Sequence, residues 1–180
     1  ASPPARGRGY RPRFWLNAPA LIITLLANTV FPEAALSFGV LFVAYVAGEV
    51  SADLTLGRWN PRQLVGPILV TTLFGTGALV ALAVALPPSL FIGALAWFAV
   101  GFAIEAYYDA KYAYLRGAVP PQVLGRVTGN LFLVPGITSA AGAIVVGALA
   151  EGFAPAVLGE LVAAGFLAAG IVALALPSFR

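Results

Sequence analysis

The sequence predicts an all-α integral membrane protein with six membrane-spanning helices. Of 180 residues, 61% are hydrophobic and only 9% are charged, whereas a soluble domain carries about a quarter charged residues to cover its surface. The chain also divides into long apolar runs, each bounded by Pro, Gly or charged residues. Its ten basic residues, finally, fall in alternate connections between those runs.

Taken in order, residues 1–13 are rich in Pro, Gly and Arg and contain no acid. That composition cannot bury a core and predicts a solvated basic linker against the membrane. It can also be read as the basic start of a signal peptide, but five further spans follow. The first span covers 14–30, opening on the interfacial aromatics Phe14 and Trp15 and closed by Phe31, Pro32 and Glu33. The second, 35–56, ends at Gly57, Arg58, Trp59, Asn60, Pro61, Arg62 and Gln63, turn formers with two cations among them. The third, 64–86, stops at Pro87 and Pro88. The fourth, 90–112, ends in Tyr107, Tyr108 and Tyr112, with Tyr114 just beyond, as an interfacial aromatic belt.

Residues 115–130 form the longest polar interruption in the second half, and Pro120 and Pro121 cannot continue a helix. The fifth span is 127–149. Its Gly136, Ser139, Ala140, Ala143 and Gly147 make a close-packing stripe, and Pro135 followed by Gly136 predicts a kink. The sixth span is 156–176.

Six spans put alternate connections on opposite sides. With the N-terminus in the cytoplasm, Arg6, Arg8, Arg11, Arg13, Arg58, Arg62, Lys111, Arg116, Arg126 and Arg180 all lie inside. The outer connections contain no cation, which is the positive-inside pattern. Both termini are therefore expected in the cytoplasm. The net charge of +3 is explained by this topology and not by a nucleic-acid partner. With neither Cys nor His, thiolate or imidazole metal sites and Ser-His-Asp or Cys nucleophiles are excluded. No cofactor, metal site or enzymatic activity is expected.

The run Val119, Pro120, Pro121, Gln122, Val123, Leu124, Gly125, Arg126, Val127 resembles V-P-x-x-x-x-G-R-V, the loop between the tenth and eleventh helices of major facilitator superfamily exporters. It looks most like the drug, macrolide or siderophore efflux branch. Gly48, Asp53, Gly57, Arg58 and Arg62 are similar to the superfamily's G-x-x-x-D-x-x-G-R-x-x-R loop. The intervals from Gly48 to Asp53 and from Asp53 to Gly57 are each one residue longer. The resemblance implies the C-terminal six-helix half of such a transporter, built as two inverted three-helix repeats, 14–86 and 90–176. It implies a bacterial inner membrane location, with residues 1–13 ending a central linker. The chain contains no Met and is expected to be a piece of a longer one.

Ionisable groups at membrane depth are costly and are functional candidates by default. Glu49 and Asp53, and Glu105 and Asp109, are i, i+4 pairs whose like charges repel unless cations or protons intervene. Arg58, Arg62, Lys111, Arg116 and Arg126 lie on the same side to supply counter-charge, giving a cytoplasmic charge network that locks helices together. The superfamily resemblance gives Asp53, Arg58 and Arg126 the role of an inner gate. Trp97, Gly101, Glu105 and Tyr108 share one sector of a helix turning about 100° per residue, which the resemblance makes a candidate cavity lining. Glu105 is the proton-coupling candidate, with pairing to Lys111 as the structural alternative. Asn17, Thr24 and Asn28 align within about 40°, a polar stripe that either binds substrate or joins helices. The expected function is proton-coupled efflux of a small lipophilic compound, by alternating access with a second six-helix half. The alternative is a non-transporting membrane scaffold of the same fold.

Overall fold

A computed structural model describes residues 17–31, 33–56, 65–85 and 89–175. All regular structure among them is helical: α1 Asn17–Val30, α2 Ala34–Leu56, α3 Val65–Ala85, α4 Leu90–Ala118, α5 Pro121–Ala150 and α6 Pro155–Ala175. Four stretches are long and apolar enough to cross a bilayer: Ala35–Leu56, Gly66–Ala85, Leu90–Ala118 and Ala156–Ala175. The chain is a multi-pass α-helical membrane protein.

The helix ends follow local chemistry. Ser89 caps α4, its side chain accepting from the Ile92 amide at 3.5 Å. Within the interruption expected at 115–130, the break itself is only Val119 and Pro120. Val119 sits in extended backbone (φ −109°, ψ 129°), as a residue before proline must. Pro121 then opens α5 at a position where a missing N–H costs nothing. One proline ends α4 and the next begins α5, so both helices run about six residues further than the apolar pattern predicts.

The most extensive contact joins α2 to α4, followed by α3 with α6 and α3 with α4. The α2–α4 pair runs parallel in one register. A Cβ on Gly93 would touch Leu41 at 3.1 Å, Tyr45 meets Trp97 edge to face at 6.4 Å, and Gly101 lies under the Glu49 amide. Each partner is 52 positions on. The α3–α6 pair is antiparallel, with Phe74 over Gly170 and Val84 over Gly159. The main core gathers Ile23 of α1, Leu41 and Tyr45 of α2, Val80 of α3, Trp97 and Val100 of α4 and Ala163 of α6.

Glycine decides how closely α2 and α4 approach. A Cβ at Gly48 would collide with the Phe98 carbonyl, and one at Gly101 with the Tyr45 carbonyl. The helices therefore touch backbone to backbone, as small residues allow in a membrane.

Candidate functional site: acidic groups along the α2–α4 contact

The parallel register turns two sequence pairs into one cluster. Glu49 and Asp53 rise one turn apart on α2, Glu105 and Asp109 one turn apart on α4, and the offset of 52 sets Asp53 level with Glu105, so the two pairs follow one another along the contact. One carboxylate oxygen from each of Asp53, Glu105 and Asp109 lies within 4.8 Å of the others. Glu49 is buried at 6% exposure, Glu105 and Asp109 are half-buried, and Asp53 is exposed. Three oxygens at such spacing repel strongly when ionised, so the cluster needs protons, a cation or guanidinium groups to persist. Glu49, Glu105 and Asp109 each make further polar interactions. These are hard oxygen donors, a set that suits Ca²⁺-like cations rather than soft metals.

Deeper along the same face stands Tyr45, fully buried at 0% exposure. Its hydroxyl lies beside Glu49 and within electrostatic reach of Glu105 and Tyr108, but out of hydrogen-bonding geometry. Tyr45 was not among the expected site residues. Its signal was present nonetheless: Tyr45, Glu49 and Asp53 repeat every four positions, the spacing of one helical stripe.

Of the expected cavity sector, Trp97 and Gly101 are buried against α2. Glu105 and Tyr108 lie beyond them, half-buried. Of the expected gate cations, Lys111 sits over the Tyr108 ring at 6.0 Å and is half-buried, while Arg116 and Arg126 are exposed. None of these three makes an ion pair among the described residues. Arg58 and Arg62 lie outside the described residues, as do Arg6, Arg8, Arg11, Arg13 and Arg180.

On α1, Thr24 and Asn28 are exposed, while Ile22, Ile23, Leu26 and Ala27 on the other side are buried. The Asn28 amide donates to the Thr24 carbonyl at 2.8 Å. The stripe thus faces away from the core. Asn17 begins α1, but its side chain is outside the description. On α5, Ala140 is exposed and Gly147 has open space around it. The side chains of Pro135, Ser139 and Ala143 are outside the description.

Comparison with known proteins yields no match to any family model, curated protein or solved structure.

Proposed function

We propose that the chain is the C-terminal six-helix half of a major facilitator superfamily exporter in a bacterial cytoplasmic membrane. It comprises two inverted three-helix repeats, keeps both termini inside, and works by alternating access with an N-terminal six-helix half. The observation that carries the reading is the acidic series in the α2–α4 contact, above all Glu49 at 6% exposure. A carboxylate inside a membrane bundle is expensive and is retained where it does work.

In this reading Glu105 carries the proton exchanged against a small lipophilic substrate. Asp53 and Asp109, with Arg58 and Arg62 from the connection after α2, close the cytoplasmic side. Thr24 and Asn28 face outward from the bundle, where a second half can complete a cavity. The test is Glu105→Gln in cells expressing the complete gene. Efflux driven by a proton gradient is expected to drop at least tenfold, and unchanged efflux sinks the coupling role. Six further spans encoded upstream of residue 1 are the expected gene context.

A second reading, a non-transporting scaffold of the same fold, draws on the Gly48–Gly101 crossing. There α2 fills the sector next to Trp97 that a cavity needs. In that case Glu105→Gln lowers stability or assembly and leaves substrate movement untouched.

A further inference from the structure

The α4–α5 turn lies in the longest basic stretch of the second half that holds no acid. Between positions 110 and 150 the chain holds Lys111, Arg116 and Arg126 and no acidic residue. Arg116 and Arg126 are both exposed, and neither makes an ion pair among the described residues. Arg116 stands three residues before the turn and Arg126 six after Pro120, about 5 Å and about 9 Å of helical rise from it. The two guanidiniums therefore flank one short connection.

Helix length sets the depth of that connection. The 29 residues of α4 rise about 44 Å, and the 30 of α5 about 45 Å. A ~30 Å core crossed at a tilt of about 20° uses about 32 Å of helix. Roughly 12 Å of α4 is left over, enough to carry its last turns through the headgroup layer. Tyr114, exposed two residues before Arg116, marks the interface where tyrosine prefers to sit. A basic tip is thus held at the level of lipid phosphates.

We propose that the α4–α5 turn binds anionic phospholipid headgroups, with Arg116 and Arg126 donating to the headgroup phosphate and Tyr114 lying alongside in the interface. Charge complementarity selects the occupant: guanidinium forks match phosphate oxygens in pairs, and an anionic headgroup adds the net charge that a zwitterionic one lacks. The site is separate from the carboxylate cluster, whose residues belong to the α2–α4 contact.

The test uses the whole chain in mild detergent, titrated with phosphatidylglycerol or phosphatidylcholine and read by native mass spectrometry. The wild type is expected to retain phosphatidylglycerol preferentially. Arg116→Gln with Arg126→Gln weakens that retention on the order of thirtyfold, the surface contribution of two arginines. Arg116→Lys with Arg126→Lys keeps most of the preference, as does replacement of Arg6, Arg8, Arg11 and Arg13 by Gln. Both turn arginines are exposed, so neither double variant disturbs packing. Three results overturn the proposal: no preference for the anionic lipid, a preference unchanged by the double Gln variant, or displacement of the lipid by inorganic phosphate at equal concentration.

Discussion

Where α2 and α4 cross, Gly48 lies against the Phe98 carbonyl and Gly101 against the Tyr45 carbonyl, each with no side chain between it and the other helix's backbone. A methyl group at either position must push the helices apart. Gly48→Ala and Gly101→Ala are each expected to destabilise the bundle by about 1–3 kcal/mol, the usual cost of overpacking. Gly39 and Gly165 have nothing within 4 Å of an added Cβ. Alanine there is expected to be neutral, or stabilising by up to about 1 kcal/mol. Thermal unfolding in detergent separates the two classes, and equal losses at all four positions contradict the crossing.

Tyr45 and Trp97 test the core above that crossing. The Trp97 side chain is 1% exposed and packs edge to face on Tyr45. Trp97→Ala should cost about 3–5 kcal/mol through the cavity it leaves. Tyr45→Phe should change stability by less than about 1 kcal/mol, because the hydroxyl closes no hydrogen bond. A large loss on Tyr45→Phe would show that the hydroxyl is bonded after all.

The register of α2 and α4 can be read directly, because the chain has no native cysteine. Asp53→Cys with Glu105→Cys is expected to cross-link under mild oxidation. Asp53→Cys with Trp97→Cys is not, since two helical turns add about 12 Å and disulfides need Cα atoms within about 7 Å. The opposite pattern would require antiparallel helices.

The carboxylates should behave as one unit. Asp53→Asn and Glu105→Gln are expected to be non-additive by about 0.5–3 kcal/mol, with the first neutralisation relieving most of the repulsion. A double-mutant cycle on unfolding measures this. Strict additivity would place the two groups too far apart to interact.

Much of this was legible in the chain. The apolar runs locate all six helices, because a bilayer rewards uninterrupted apolar length and Pro or Gly ends it. Glu49, Asp53, Glu105 and Asp109 stood out because acids are rare among such runs. The extent of α4 and α5 was less legible: Tyr112, Tyr114, Arg116 and Gln122 are polar enough to resemble a loop, yet all are compatible with helix outside the hydrocarbon core. Tyr45 was passed over because a tyrosine among apolar residues carries no charge signal.

By itself, the sequence determined a membrane-spanning helical chain, the order of its elements and the break at Pro120 and Pro121. Those depend on local hydrophobicity and on backbone chemistry within a few residues. Only the tertiary structure decided that Asp53 meets Glu105, that Tyr45 packs on Trp97, and that Thr24 and Asn28 face outward. These relationships depend on which helix faces which, and the backbone approaches at Gly48 and Gly101 let α2 and α4 pair across 52 positions of chain.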